Sequence, residues 1–360
     1  MSKRCQFWQD YDSVSGGISY CELAAFNQPV NPQFLAQIGC TEQKRTECLG
    51  TMQLNIGGAA VPVVQPSAFN APGEIAKSCV GAAEKKAAIA PRPLSVLAFL
   101  AGAYIAMAGI LNTVITNDLA NFFGDGLTRL VGGTVFSLGL ILVILGGAEL
   151  FTGNNLVMTA GLLDKKITIS QVMRNWVTVY FFNFVGSITV ALLVYYSGIW
   201  KFNGTAVGIK AVNVAAGKVA LPFSEALVRG ILCNWLVCLA VWLSMSAKDA
   251  IGKLLCCALP VVAFVAMGFE HSVANMYFIP MGILLSGKEA IVAAIGAEAL
   301  QSLTWSAFLV KNLLPVTIGN MIGGIVFVAA TYYNAYLRPA TVKQEPAATV
   351  KAAPAHHQHS

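Results

Sequence analysis

The chain has 360 residues, of which 56% are hydrophobic and 11% are charged, and its mean hydropathy is +0.65. Soluble domains carry about 25% charged residues, so this composition excludes an ordinary soluble protein and indicates an integral membrane protein. The formal net charge is +6, but no basic patch interleaved with aromatic residues is present, which argues against nucleic-acid binding. The nine cysteines show no metal-ligand spacing, and the sequence predicts neither a metal site nor a cofactor.

Residues 1–68 mix polar residues, glycine, proline and cysteine without sustained periodicity, and we expect a poorly ordered N-terminal extension. This extension lacks the apolar core of a signal peptide, so the first membrane helix is expected to direct insertion. Asn70 and Pro72 suit the start of a helix, and the weakly apolar face that follows predicts a short helix on the membrane surface. Residues 69–337 are the predicted membrane domain, and residues 338–360 are a predicted disordered tail rich in alanine and proline.

Six stretches are long and apolar enough to span a bilayer, which takes about 20 residues. They begin at Pro93, Leu130, Val172, Phe223, Leu254 and Asn312. The second and fifth stretches, residues 130–163 and 254–286, are too long for one straight span. Residues 289–310 are interrupted by polar side chains and are predicted to form an amphipathic connection rather than a seventh span.

Six spans place both termini on the same side of the membrane. The loops on that side carry more lysine and arginine than the opposite loops, so the positive-inside rule predicts cytoplasmic termini. A plasma membrane is the expected location, with an organellar membrane as the alternative.

An internal repeat relates the two overlong stretches. Residues 147–154 read GAELFTGN and residues 268–275 read GFEHSVAN, so that Glu149 matches Glu270 and Asn154 matches Asn275. The helices that follow also match, with Asn175 and Asn183 corresponding to Asn312 and Asn320. Two halves of three spans each must insert with opposite orientation, so the sequence predicts an inverted repeat whose second and fifth helices are broken near the midplane.

The polar residues at these breaks need partners inside the protein, because lipid offers none. We expect Glu149 and Glu270 to brace the breaks by accepting hydrogen bonds from freed backbone N–H groups. His271 occupies the position of Leu150 in the other half, and it is the midplane side chain that titrates near neutral pH. Intramembrane ionisable residues usually mark transport or proton pathways, so His271 is the leading functional candidate.

Several ordered motifs resemble the formate/nitrite transporter family. They are AGAYIAMAG, GGAELFTGN, RNWVTVYFFNFVGS, RGILCNWLVCLAVW, GFEHSVANMYFIPMGI and NLLPVTIGNMIGG, and they extend from about residue 69 to residue 337. The resemblance implies an all-α, aquaporin-like protomer of six membrane helices, assembled as a homopentamer in the lipid bilayer with one pore in each protomer. It also implies a pore that passes formate, nitrite and similar small monovalent anions.

The resemblance carries over to individual positions. It implies that five polar residues belong to the substrate pore and its proton relay, namely His271, Thr152, Asn320, Lys218 and Asn234. It pairs Lys218, in an outer vestibule, with Asn234. It assigns Phe136 and Leu140 to one apolar constriction and Phe264 to the other, although from spacing alone these residues also fit an ordinary core.

We expect His271 either to protonate the anion, directly or through water, or to pair with it as imidazolium, while Thr152 and Asn320 hold the ring. Bicarbonate, lactate, acetate or hydrosulfide are alternative substrates that pore residues discriminate poorly. A neutral-solute channel is disfavoured because the twin Asn-Pro-Ala boxes of aquaporins are absent. A membrane enzyme that uses His271 as an acid or base is also disfavoured, since no nucleophile–base pair accompanies the histidine.

Overall fold

The computed structural model describes Ser67 and residues 69–338. The predicted extension and tail therefore lie outside the described residues, apart from Ser67 and Arg338. Within that range the secondary structure is helical, with a single isolated β-bridge between Phe69 and Ala247.

Helix α1, Pro72–Ala88, has the predicted proline in its first turn. Asn70 does not cap it, because the helix starts after Ala71, whose backbone N–H donates to the Glu74 carboxylate at 2.8 Å. Asn70 instead donates through its side-chain amide to the Met245 carbonyl at 2.8 Å. The segment before α1 is thereby tied to the end of a membrane helix far along the chain.

Five helices are long and apolar enough to span a membrane. A sixth span results if the bent pair Ser272–Leu285 and Glu289–Ile295 is counted as one. The five are α2 (Pro91–Thr116), α3 (Ala120–Leu145), α5 (Ile169–Ser197), α7 (Phe223–Ser246) and α12 (Ala307–Tyr336). Helix α3 starts ten residues before the predicted Leu130, with a kink at Gly124, and α12 starts five residues before the predicted Asn312.

The two overlong stretches are each divided. Helix α3 ends at Leu145 and α4 covers Phe151–Leu163; α8 covers Ala250–Ala266 and α9 covers Ser272–Leu285. Residues 289–310 do not form one spanning helix. Short helices α10 (Glu289–Ile295) and α11 (Ala297–Leu300) lie there, with Gly296 at a φ of +91° between them. Helix α10 is bent by 98° from α9.

Helix α6, Ala206–Val219, lies between α5 and α7 and was not anticipated from the sequence. Its buried side chains are small or β-branched, and it packs on α9. Helix α6 therefore precedes the second three-span half as α1 precedes the first.

Glycines bring two equivalent pairs of helices into close contact. A Cβ at Gly186 of α5 would lie 2.1 Å from the Phe99 carbonyl oxygen of α2, and one at Gly323 of α12 would lie 2.3 Å from that of Ile231 in α7. Only glycine fits at such separations, and small residues at helix contacts are characteristic of membrane bundles. Each half is thus built on a tight pair formed by its first and third spans.

Candidate functional site

The two divided helices have matching backbone geometry. Gly147 has a φ of +77° and Gly268 a φ of +72°, a left-handed conformation that glycine adopts without steric cost. The next helix begins four residues after each of these glycines, at Phe151 in the first case and at Ser272 in the second. The interruption leaves backbone N–H and C=O groups without helical partners inside the two overlong apolar stretches, where lipid would offer no partners and protein groups have to satisfy them.

Asn183 satisfies two of these groups at the first interruption. Its Oδ1 accepts from the Phe151 backbone N–H at 2.9 Å, and its Nδ2 donates to the carbonyls of Glu149 at 2.9 Å and Ala98 at 2.7 Å. One buried amide therefore joins α5, α2 and the start of α4.

Asn320 does the same at the second interruption. Its Oδ1 accepts from the Ser272 backbone N–H at 2.9 Å, and its Nδ2 donates to the carbonyls of Glu270 at 3.0 Å and Gly230 at 2.8 Å. The repeated residues Asn183 and Asn320 thus make the same three contacts in the two halves.

The glutamates have a different role from the expected one. Glu149 accepts from Asn154 Nδ2 at 2.8 Å, and Glu270 accepts from Asn275 Nδ2 at 2.7 Å. Each also forms an ion pair, Glu149 with Lys86 and Glu270 with Lys218, the latter at 2.7 Å. Their carboxylates therefore bind side chains, whereas the asparagines described above hold the freed backbone groups. The expectation of carboxylate-to-backbone bracing was wrong in this respect.

The ion pair between Lys86 and Glu149 was not anticipated. Lys86 lies in the last turn of α1 and Lys218 in the last turn of α6, so each half has a lysine just before its first span. The match between Lys86 and Lys218 lies outside the spans in which the sequence repeat was recognised. Extending the comparison to the helix that precedes each half would have indicated Lys86.

His271 lies at the centre of the fold and is buried. Its Nε2 lies 2.8 Å from Thr152 Oγ1, across the two interruptions, and its Nδ1 accepts from the Ala274 backbone N–H at 3.1 Å. His271 is therefore the N-cap of α9, and with Nδ1 accepting, the proton of the neutral ring is on Nε2. The expected contact with Thr152 is present; Asn320 contacts the backbone on either side of His271 and not the ring.

A cavity of about 10 Å³ lies against the imidazole. His271 is its one polar lining residue, and the predicted constriction residues Phe136, Leu140 and Phe264 all line it. The Phe136 and Phe264 rings meet edge to face with centroids 6.3 Å apart. The structure therefore places both phenylalanines around the same small chamber.

A second cavity, of about 610 Å³, lies beyond this chamber. Leu140 and Leu150 line both cavities and so form the wall between them. The charged residues that line the larger cavity are three lysines, Lys86, Lys248 and Lys253, and two carboxylates, Glu149 and Asp249. An anion that leaves the chamber past the two leucines would enter a vestibule with one more lysine than carboxylates.

Lys218 and Asn234 are not the partners that the sequence comparison implied. Lys218 pairs with Glu270, whereas the Asn234 amide donates to the carbonyls of Asn320 at 2.7 Å and Thr152 at 3.2 Å. Asn234 is fully buried and binds the backbone carbonyl of Thr152, the residue whose hydroxyl contacts His271.

Among residues 69–338, no group of three or more histidine, cysteine, aspartate or glutamate side chains is arranged to hold a metal ion. The histidine-rich end of the chain lies outside this range. The chemistry that the described site offers is that of an imidazole, a hydroxyl and buried amides.

Comparisons with known proteins agree with this architecture. The profile of the formate/nitrite transporter family matches residues 73–334. A probable formate transporter of Methanothermobacter thermautotrophicus is 45% identical over 286 residues, covering 76% of this chain and 99% of the relative. The formate channel FocA of Escherichia coli strain K12 is 41% identical over 271 residues, covering 74% of this chain and 94% of the channel.

A solved structure described as a pentameric formate channel with formate bound is similar to this chain, with a TM-score of 0.63 and 38% sequence identity. The matched region covers 69% of this chain and 98% of the solved chain. The relatives are channels and transporters rather than enzymes, and this chain is a multi-pass membrane protein of the same kind. The chain belongs to the formate/nitrite transporter family.

Proposed function

We propose that this protein conducts formate and similar small monovalent weak-acid anions, and that passage is assisted by a proton at His271. The observation that carries the proposal is the position of His271, the one residue with a polar side chain among those that line the small apolar chamber. The formate channels among its relatives support formate as the first substrate to test.

The apolar chamber sets the energetic problem. Placing a charged group at the centre of a membrane costs from about 3 to more than 10 kcal/mol. Formic or nitrous acid carries no net charge and avoids this penalty. A pore lined by Phe136, Leu140 and Phe264 therefore favours the protonated acid and excludes hydrated ions.

The hydrogen bonds of His271 indicate how a proton could be passed. Nε2–H points to the Thr152 hydroxyl, which can in turn donate to an anion. The ring must first bind a proton at Nδ1, because a neutral imidazole that lost its Nε2 proton would become an imidazolate, and this requires the bond from the Ala274 N–H to Nδ1 to open. Leaving the buried Ala274 N–H without a partner costs about 1–3 kcal/mol. The proton would enter at Nδ1 and leave from Nε2 through Thr152.

The two lysine–glutamate pairs flank this relay. Lys86 and Lys218 are partly exposed, at 22% and 17%, whereas their carboxylate partners are 6% and 5% exposed. Each lysine side chain is therefore more exposed than the carboxylate that balances its charge. We propose that this arrangement attracts anions to the pore without trapping them.

We also propose that the protein forms a homopentamer with one pore in each protomer, as the solved formate channel is pentameric. Both termini would face the cytoplasm, on the basis of the distribution of lysine and arginine in the loops. The plasma membrane is the proposed location.

Stopped-flow flux into proteoliposomes tests the substrate. We expect formate and nitrite to enter at rates that rise as the external pH falls, because the protonated fraction rises. Formate flux that does not change between pH 7.5 and pH 5.5 would contradict proton assistance. Bicarbonate flux without formate flux would move the assignment to inorganic-carbon transport, the second candidate.

A further inference from the structure

Asn155 is a buried polar residue without an equivalent in the other half of the protein. It lies in α4, three residues after Thr152, and is fully buried. The repeat places Met276 at the matching position of α9. An asparagine is therefore not required by the geometry of the helix interruption.

Asn234, which contacts Asn155, is equally unmatched. The repeated contacts of Asn183 with Ala98 and of Asn320 with Gly230 set the register between α2 and α7, and this register aligns Asn234 with Gly102. Asn155 and Asn234 thus form a polar pair in one half where the other half has methionine and glycine. The pair lies next to Thr152, whose own counterpart is Val273.

The hydrogen bonds of the pair converge on the amide nitrogen of Asn234. This nitrogen donates to Asn320 O at 2.7 Å and, at 3.2 Å each, to Thr152 O and Asn155 Oδ1. All three partners are acceptors, so the Asn234 amide cannot be turned over without placing its oxygen against them. The amide has two hydrogens for these three acceptors, and Asn155 Oδ1 is the one side-chain acceptor among them.

The arrangement leaves other polar groups unpaired. Asn155 Nδ2 and Asn234 Oδ1 are buried and have no hydrogen-bond partner among the described residues. Buried unpaired groups destabilise a protein, so an apolar residue at position 155 would be favoured if folding alone mattered. The close approach of Gly324, whose Cβ would lie 2.9 Å from both Asn155 Cβ and Asn234 Nδ2, confines the pair further.

The two residues whose backbone carbonyls Asn234 binds, Thr152 and Asn320, place their side chains on either side of His271. Thr152 supplies the hydroxyl at Nε2, and Asn320 binds the backbone of Glu270 and Ser272, the two neighbours of His271. A displaced Asn234 amide would therefore shift the hydroxyl and the imidazole relative to each other.

We propose that Asn155 is a positioning residue for transport: it fixes the Asn234 amide, which holds Thr152 and Asn320 and so sets the contact between Thr152 and His271. This inference rests on the proposed function, because it gives Asn155 an effect only if the substrate passes His271.

Two variants of similar shape test the proposal. Asn155→Val removes the acceptor, and Asn155→Thr keeps a side-chain oxygen in a side chain of nearly the same volume. We expect formate flux per folded pentamer to fall about tenfold in Asn155→Val and less than threefold in Asn155→Thr, with the melting temperature of Asn155→Val unchanged or raised. Thr159→Val, in the same helix, is the control and should transport like the parent protein.

A double variant tests whether the effect acts through Asn234. If it does, adding Asn155→Val to Asn234→Ala should reduce flux by less than about twofold further, because the two changes remove the same interaction. Wild-type flux in Asn155→Val, equal losses in the Val and Thr variants, or independent losses in the double variant would each overturn the proposal. An absence of formate flux in the parent protein, or full flux in a His271 variant, would instead overturn the proposed function.

Discussion

Replacing His271 with phenylalanine is expected to lower formate flux by about 100-fold or more, since a restored charge penalty of about 3 kcal/mol corresponds to that factor in rate. Phenylalanine preserves an aromatic ring that can stack on Phe264, whose centroid lies 6.1 Å from that of the imidazole. It removes the donor to Thr152 and the only titratable group of the small chamber. Stopped-flow flux in proteoliposomes with equal amounts of folded protein measures the loss.

A second variant separates proton transfer from helix capping. Asparagine is a strong N-cap residue, so His271→Asn should keep the start of α9 while abolishing titration. We expect His271→Asn to retain the melting temperature of the parent protein and to lose both flux and its pH dependence. If either variant transports formate at the parent rate, His271 is not on the pathway.

Replacing Asn183 with leucine is expected to have the largest effect on stability. The Asn183 side chain binds the Phe151 N–H and the Glu149 carbonyl, two groups that the interruption of the second span leaves without helical partners. Each buried group left unpaired costs about 1–3 kcal/mol, so the variant should lose about 2–6 kcal/mol of folding free energy. Thermal unfolding of the detergent-solubilised protein, followed by loss of the oligomer, measures this change.

Ser187→Ala is the matched control for Asn183→Leu. Ser187 lies one turn further along α5 and donates to the Gly102 carbonyl at 3.1 Å, a group within the continuous helix α2. Its loss should cost about 1 kcal/mol or less, because no backbone group is left unpaired. Equal melting temperatures for the two variants would show that Asn183 does not brace the interruption.

The membrane class, the spans and the two interruptions could be predicted because each leaves a local signal in the sequence. Apolar runs of about 20 residues identify spans, and the overlong runs with Gly147 and Gly268 indicate where a helix has to divide. The pairing of His271 with Thr152 was implied by family resemblance, since 119 residues separate them along the chain.

The partners of individual polar groups were harder to predict because they depend on how helices from the two halves approach each other. Asn183 and Asn320 were recognised as repeated residues, yet their role in binding backbone groups depends on the close approach of α2 to α5 and α7 to α12. The resemblance paired Asn234 with Lys218, and the sequence alone does not show which face of α7 Asn234 occupies. Lys86 was missed because the repeat was compared only across the spans.

The most direct test of the account is the charge carried by each transport event. Formate uptake would be measured in proteoliposomes at a clamped membrane potential, with simultaneous recording of internal pH. If formate passes His271 with a proton, uptake should acidify the lumen by one proton per formate and should not respond to the potential. Uptake that follows the potential and leaves the internal pH unchanged would show that the bare anion crosses, and would contradict the proton relay at His271.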